Sequence, residues 1–278
     1  MHDIQPEQPR RRRRVLNSAI FSPVGLQLFP YLAPRLARLY NIILNNDLTH
    51  RINGEAWLVS QLQNPRVVVD VGFHRGEWTD ECITRFPGAT VYAFDPWPSA
   101  RAYFDQAADL RRNVEFFDIA LSNNEGRSRF YDYDNACNSL ARRDLEAIDL
   151  VGSYEVDVTT LDSWCALHDV TQIDFLKIDA EGYDLPVLEG AHQLLKAQAI
   201  DAFCFEYADG WIESRRFLGE ADRYIKDVGY TVFKLFPGFL APFTYTLAHE
   251  TFQGAMFVGL SPSAMARQAF PTRRVVGV

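Results

Sequence analysis

The sequence of 278 residues has only four cysteines, Cys82, Cys137, Cys165 and Cys204, and none pairs with another at C-x-x-C spacing. This pattern argues against a structural zinc site. So low a density excludes the disulfide scaffold of a small secreted protein. Cysteines of this kind are typical of a reducing compartment, and we therefore expect the protein in the cytoplasm.

The sequence also lacks an uninterrupted apolar segment long enough to cross a bilayer. The apolar stretch that begins at Val15 is broken by Pro23, Gly25, Pro30 and Pro34. Neither a transmembrane helix nor a signal peptide is therefore predicted. No linker-like stretch divides the chain, and its hydrophobic content of 47% is enough for one substantial core.

Positive charge is concentrated near the N-terminus and scarce elsewhere. The net formal charge is −8, but eight arginines and three acidic residues give positions 1–51 a charge of +5, which leaves −13 for the rest. A main body this acidic excludes nucleic acid as the expected partner.

The N-terminal arm, residues 1–52, contains the run Arg10–Arg14, which precedes a short apolar segment. A basic, apolar arm could rest on the anionic inner face of a membrane or on a partner subunit in a homo-oligomer. It could also be a solvated extension, as charge runs usually are. The sequence leaves these interpretations open.

The turn after the first predicted strand has two glycines where a dinucleotide-binding turn would have three. An apolar, β-branched run ends at Asp70 and is followed by Gly72 and Gly76. This pattern predicts a buried parallel strand and a tight turn over which a ligand binds, with Phe73 among its contacts. The dinucleotide fingerprint G-x-G-x-x-G would need a glycine at His74. The turn therefore favours S-adenosylmethionine over NAD.

Predicted strands and helices alternate from residue 53 onward. Apolar runs predict strands at 67–71, 90–94, 114–119, 173–178, 202–206, 231–235 and 255–260, with helices at 54–62, 77–85, 185–196 and 212–228. This order predicts an α/β fold whose sheet is mostly parallel, with helices on both faces. Only a loop joins the last two strands, so we expect them to pair antiparallel at one edge.

An insertion lies between the third and fourth long strands. Residues 125–133 alternate like an exposed strand after an Asn-Glu-Gly turn, and the insertion continues to residue 158. It could form a wall of the substrate site or a surface hairpin without a chemical role.

Polar residues also follow the second and third strands. Asp95 comes 19 positions after Gly76, where a carboxylate could bind the ribose hydroxyls of a nucleoside, although it could instead cap the next helix. Asp118 and Ile119 would then flank the adenine. Trp97 could cover one face of the adenine or simply pack in the core.

The densest group of ionisable residues ends the fourth long strand. Lys177, Asp179 and Glu181 alternate along the chain there, and Glu206 ends the next strand. Crowded ionisable groups have shifted pKa values and often mark a site, although a Lys177–Asp179 ion pair could merely order the loop.

Short motifs throughout the main body resemble those of one known family. They are Asp70-x-Gly72-x-x-x-Gly76, Phe94-Asp95-Pro96, Leu161-Asp162-Ser163-Trp164, Asp174–Tyr183, Val187–Ala191 and Phe205-Glu206. Together they resemble the FkbM family of S-adenosylmethionine-dependent methyltransferases over residues 67–259, although that family has Glu at the position of Asp95.

The resemblance implies a Rossmann-like sheet of seven strands with an antiparallel edge strand, in a methyltransferase domain at 53–261 followed by a tail at 262–278. It implies O-methylation of a sugar, glycolipid or polysaccharide, or else of a polyketide or other natural product. The rival hypotheses are a nucleotide-binding regulatory module and an NAD-dependent oxidoreductase.

The chemistry of methyl transfer assigns roles to the predicted site residues. An alcohol must lose its proton as the new bond forms, and Asp179 is the predicted base, with Glu206 or His249 as substitutes. Lys177 could hold Asp179 ionised or orient the acceptor. Alternatively, Asp179, Glu181 and Glu206 could share a divalent cation such as Mg²⁺.

Overall fold

The computed structural model describes residues 20–46, 48, 52–134, 137–143, 148–267 and 270–278, so the run Arg10–Arg14 lies outside the described residues. The chain forms two compact units, of which the first ends at Leu44 and the second begins at Asn45. In the first unit, helix α1 (Pro23–Ile43) follows the N-cap residue Ser22, whose hydroxyl accepts a hydrogen bond from the Gly25 amide. No helix among the described residues is long and apolar enough to cross a membrane.

The second unit contains two β-sheets and the remaining helices. In chain order its strands are β1 (Val67–Val71), β2 (Thr90–Phe94), β3 (Val114–Phe117), β4 (Ala120–Leu121), β5 (Gly126–Asp132), β6 (Gly152–Thr159), β7 (Ile173–Ile178), β8 (Ile200–Tyr207), β9 (Thr231–Phe236), β10 (Phe239–Pro242) and β11 (Ala255–Leu260). Its helices are α2 (Glu55–Gln61), α3 (Glu77–Arg85), α4 (Pro98–Gln106), α5 (Leu161–Leu167), α6 (Asp184–Gly190), α7 (His192–Lys196), α8 (Gly210–Glu213), α9 (Leu218–Asp227) and α10 (Pro262–Arg267), with a 3₁₀ turn at Leu247–His249.

The main sheet has the strand order β10-β9-β11-β8-β7-β1-β2-β3. Strands β3, β2, β1, β7 and β8 pair in parallel, as predicted, and β9 pairs antiparallel with β11. The sheet has eight strands rather than seven because the chain turns back at Gly238 (φ +90°) and β10 adds to the edge beside β9. Strand β11 lies between β8 and β9, so the antiparallel strand at the edge is β10.

The central strands are buried on both faces, and their alternation supplies two core layers. Val69 and Leu176 pack in one layer, whereas Val68, Phe175 and Cys204 pack in the other. Burial on both faces explains why these strands are almost uniformly apolar. A polar residue within them therefore needs a specific partner, which directs attention to Asp70 and Lys177.

The insertion forms the smaller sheet, in which β6 pairs with β4 and β5. Strands β5 and β6 pair antiparallel from Gly126–Val158 to Asp132–Gly152. Phe130, Val156 and Val158 turn inward and join the core, while Arg127 and Arg129 are exposed. The predicted hairpin is therefore present, and its inner face packs on the domain.

Glu250 joins three separate parts of the second unit. Its carboxylate accepts hydrogen bonds from the hydroxyl of Tyr207 on β8 (2.9 Å) and from the hydroxyl of Tyr245 (2.9 Å). It also accepts from the amides of Leu218 (3.1 Å) and Gly219 (2.9 Å), which open α9. A carboxylate at a helix N-terminus satisfies amides that have no partner within the helix.

We expect Glu250→Ala to lower the free energy of unfolding by about 1–3 kcal/mol, because buried donors lose their acceptor. Urea denaturation followed by circular dichroism measures this change. The control is Glu125→Ala at an exposed turn position, which should stay within about 0.5 kcal/mol. Equal effects of the two substitutions would contradict this role of Glu250.

Candidate active site

A cavity, which we call the first cavity, lies at the carboxyl ends of β1, β2 and β7. The turn after β1 contributes Gly72 and His74, the end of β2 contributes Asp95, and the end of β7 contributes Asp179 and Glu181. This is the position at which open α/β sheets bind ligands. The structure therefore brings together residues from three of the predicted polar strand ends.

Gly72 allows the first turn to pack directly on the end of β7. Its φ angle is +84°, and a Cβ built on it would lie only 1.9 Å from the backbone oxygen of Asp179. The Asp179 amide in turn donates to the carbonyl of Val71 (3.0 Å). A side chain at Gly72 would therefore collide with protein backbone even before a ligand entered.

Gly76 and Phe73 support the turn from behind and do not line this cavity. A Cβ at Gly76 would lie 2.4 Å from the Phe73 ring and 2.6 Å from the Arg111 guanidinium. The Phe73 ring also packs edge-on against Phe116, with a centroid separation of 5.1 Å. The two residues, which were predicted to contact the cofactor, thus shape the turn and do not line the first cavity.

Asp70 is fully buried and holds Lys177 in place. Its carboxylate accepts from the Thr79 hydroxyl (2.5 Å) and lies 3.2 Å from the Lys177 ammonium. Burial raises the pKa of Asp70, against the opposing effect of Lys177. Asp70 does not line the cavity, so its predicted part in the site is indirect.

The Lys177 ammonium connects strands β1 and β7 with the turn that follows β1. It donates to the Gly72 carbonyl (3.0 Å) and lies 3.3 Å from the Asp179 carboxylate. Burial alone would lower the pKa of Lys177, but the negative charges of Asp70 and Asp179 raise it well above its ordinary value. Lys177 is therefore charged at neutral pH and buried.

Asp179, Glu181 and Glu206 form a compact acidic cluster, with one carboxylate oxygen of each lying within 4.8 Å of the others. Burial and the neighbouring charges of Asp179 and Glu181 raise the pKa of Glu206 well above its ordinary value. Burial opposes ionisation of Asp179 too, but Lys177 and a hydrogen bond with Glu206 lower its pKa. In the hydrogen bond between these two groups, the pKa directions favour Glu206 as the donor and the Asp179 carboxylate as the acceptor.

Arg143 is a site residue that the sequence analysis missed. Its side chain is 3% exposed, and its guanidinium lies 2.6 Å from the Glu181 carboxylate and pairs also with Asp209. Burial and Asp179 raise the pKa of Glu181 to about 8, against the effect of Arg143. Arg143 precedes Glu181 by 38 positions in an irregular segment, so no local pattern could have identified it.

Asp95 faces the cavity and binds two backbone amides. It is 7% exposed, and its two carboxylate oxygens accept hydrogen bonds from the amides of His74 (2.7 Å) and Trp97 (2.9 Å). Because Trp97 is itself the N-cap residue of α4, Asp95 orders the approach to this helix and does not cap its first turn. The His74 ring stacks on the Trp97 indole at 5.4 Å. Burial raises the pKa of Asp95 to about 6.

Asp118 and His249 also lie outside the cavity lining. Asp118 is about half exposed and forms an ion pair with Arg101 (2.6 Å). His249 is half-buried on the 3₁₀ turn, where its ring lies 3.1 Å from the Gly277 carbonyl. Ile119, by contrast, lines the cavity.

The residues of the cavity fit an adenosine moiety. Its apolar wall, suited to a base, consists of Phe94, Trp97, Ile119, Leu121, Phe130 and Leu140. Asp95 offers carboxylate oxygens suited to ribose hydroxyls. Buried nitrogens of His74 and Asn138 lack a hydrogen-bond partner among the described residues, although both side chains line the cavity. Phe130, Asn138 and Leu140 come from the insertion, which therefore does form a wall of the cavity.

Comparison with known proteins identifies the family of this chain. The model of the methyltransferase FkbM domain matches residues 70–232. The chain therefore belongs to the FkbM methyltransferase family, a class of S-adenosylmethionine-dependent enzymes. It is 24% identical over 153 residues to the 2-O-methyltransferase NoeI of Sinorhizobium fredii, a match that spans 50% of this chain and 63% of that protein.

Solved structures of methyltransferases are more distantly similar. Precorrin-6y C5,15-methyltransferase from Geobacter metallireducens is 12% identical, with a TM-score of 0.40 and coverage of 74% of this chain and 86% of that chain. N-methyltransferase NodS from Bradyrhizobium japonicum, in complex with S-adenosyl-L-homocysteine, is 8% identical, with a TM-score of 0.39 and coverage of 75% and 86%.

The raised pKa of Asp95 predicts pH-dependent binding of S-adenosylhomocysteine. As the pH falls through about 6, the carboxylate gains a proton and loses acceptor capacity, so the affinity should fall. Asp95→Asn should bind about 1–3 kcal/mol more weakly above this pH and depend less on pH. Calorimetric titration of both proteins tests this. Parallel pH profiles would show that another group controls binding.

Proposed function

We propose that this protein transfers a methyl group from S-adenosylmethionine to a hydroxyl of a sugar, glycolipid or polysaccharide. The observation that carries the proposal is the position of Asp179 between two cavities. Asp179, Gly72 and His74 line both the first cavity and a second cavity. A donor in one cavity and an acceptor in the other would meet beside Asp179.

The linings of the two cavities suit different ligands. The first cavity is mainly apolar and fits adenosine, as described above. The second contains the charged residues Glu55, Arg75, Glu77 and Lys177. Carboxylates and cationic side chains hydrogen-bond hydroxyl groups well, which favours a polyhydroxylated acceptor over a largely apolar polyketide. The name of the relative NoeI, a 2-O-methyltransferase, also supports an oxygen acceptor.

Methyl transfer to an alcohol needs alignment and a proton acceptor. When bound, S-adenosylmethionine supplies an activated methyl group on a sulfonium. Holding two reactants in line supplies roughly 7–11 kcal/mol. The acceptor oxygen becomes strongly acidic as it gains the methyl group, so a carboxylate of lowered pKa can take its proton. Asp179, kept ionised by Lys177, serves as this base, and the proton moves from the acceptor oxygen to its carboxylate.

Glu206 and Glu181 modify this base from two sides. Glu206 donates a hydrogen bond to the Asp179 carboxylate and so helps to keep Asp179 ionised. The pKa of Glu181 is raised to about 8, so Glu181 ionises in mildly alkaline solution and can act as an alternative base there. The same three carboxylates could instead bind a divalent cation that polarises the hydroxyl, because they offer hard oxygen ligands close together.

Asp179→Asn should keep the affinity for S-adenosylhomocysteine within a few-fold and lower turnover by about 10²–10⁴, because it removes the base and not the donor site. Turnover is measured as methyl transfer to a panel of glycans and polyketides, and affinity by calorimetry. The matched control, Asp149→Asn at an exposed position, should leave both unchanged. Near-normal turnover in Asp179→Asn would show that Asp179 is not the base.

The same assay separates the metal-free mechanism from the cation mechanism. A metal-free base predicts wild-type turnover that is insensitive to a chelator. A cation bound by the acidic cluster predicts loss of turnover in chelator and its recovery with added Mg²⁺.

Glu77 tests the role of the second cavity. Glu77 is exposed at the start of α3 and lines that cavity. Glu77→Gln should raise the KM for the acceptor about three- to tenfold through a lost charge-assisted hydrogen bond, with unchanged affinity for S-adenosylhomocysteine. Glu115→Gln on the exposed side of β3 is the control. A change in donor affinity alone would place the acceptor elsewhere.

A further inference from the structure

Helix α1 presents a continuous apolar surface to solvent. Leu28, Leu32, Leu36, Leu39 and Ile43 recur at intervals of three or four residues, so they share one side of the helix. Their exposed fractions are 56%, 43%, 61%, 53% and 59%. We call these five residues the apolar face. Five large aliphatic side chains in one exposed stripe are typical of an interaction surface.

The polar residues of α1 lie elsewhere on the helix. Gln27 and Arg38 project from the side opposite the apolar face, and Arg35 lies between the two sides. Pro30 and Pro34 are also on the polar side, so the distortion they introduce does not interrupt the apolar face. Leu26, which is 58% exposed, also lies away from the apolar face, so the rest of the helix surface is mixed in character. The apolar face is nevertheless continuous, and arginine is the only type of charged residue in the helix.

The sequence around α1 is strongly and uniformly positive. Between Gln8 and Asn46 there are seven arginines, Arg35, Arg38 and the run Arg10–Arg14, and neither Asp nor Glu. The rest of the chain is acidic. An apolar face flanked by arginines alone complements a surface that is both apolar and anionic.

We infer that α1 lies flat on the surface of an anionic lipid bilayer, with its apolar face at the boundary between head groups and acyl chains. Arg35 and Arg38 reach the lipid phosphates along their flexible stems. Tyr31 and Tyr40, which are 77% and 52% exposed, are suited to the head-group region. Each arginine near such a surface adds attraction, which salt screens.

A second copy of this chain fits the same face less well. Association through the apolar face would bring together two segments that each carry seven arginines without an acidic residue to pair with them. Like charges so close repel each other, whereas anionic lipid neutralises them. The charge pattern therefore selects the bilayer.

Sedimentation of the full chain with vesicles tests the inference without any methyl donor or acceptor, so its outcome is independent of the proposed function. We expect binding to phosphatidylcholine vesicles that contain phosphatidylglycerol, weaker binding at high salt, and little binding to pure phosphatidylcholine. Leu36→Glu should weaken binding at least about tenfold, because it replaces an apolar side chain that would insert into the bilayer by a carboxylate.

The matched control is Gln27→Glu, which adds the same charge on the polar side. It should weaken binding much less than Leu36→Glu. Both positions are exposed, and unchanged affinity for S-adenosylhomocysteine in both variants verifies their folding. Equal losses in the two variants, equal binding to neutral and anionic vesicles, or absence of binding would each overturn the inference. Self-association abolished by Leu36→Glu without vesicle binding would do the same and assign the face to a second copy.

Discussion

The buried ammonium of Lys177 connects the parts of the active site. It lies beside the carboxylates of Asp70 on β1 and Asp179 after β7 and donates to the carbonyl of Gly72. A buried charge is tolerated only where partners surround it, and removal of one partner typically costs about 3–5 kcal/mol. The position of the glycine turn relative to the end of β7 is therefore fixed by this one group.

The charge of Lys177 also determines how the acidic cluster ionises. Three carboxyl groups cannot all be ionised within a few ångströms of one another. Lys177 favours ionisation of Asp179, whereas the more deeply buried Glu206 keeps its proton. Asp184 extends this arrangement, since it accepts from the amide of Glu206 and burial raises its pKa to about 7. The site thus combines one ionised carboxylate with neighbours that hold protons.

Local pattern was sufficient for the parallel half of the sheet. Strands β1, β2 and β7 and helix α3 have the predicted bounds because an apolar run and its terminating residues are adjacent in the sequence. The predicted helix at 185–196 is instead divided into α6 and α7 at Ala191, although the local sequence favours helix throughout. Close packing of Gly190, where a Cβ would lie 2.0 Å from the backbone oxygen of Ser122, is a tertiary constraint that no local pattern reveals.

The sequence by itself determined the fold class, the family and the polar strand ends that carry Gly72, Asp95 and Asp179, because each depends on residues close together in the chain. Only the tertiary structure decided which of the candidates meet. Arg143 joins Glu181 across 38 positions, whereas Asp118 pairs with Arg101 and does not line the cavity. These outcomes depend on distances between side chains from different elements. Such distances are set by packing, since hydrogen bonds and ion pairs form only where the fold places their atoms within reach.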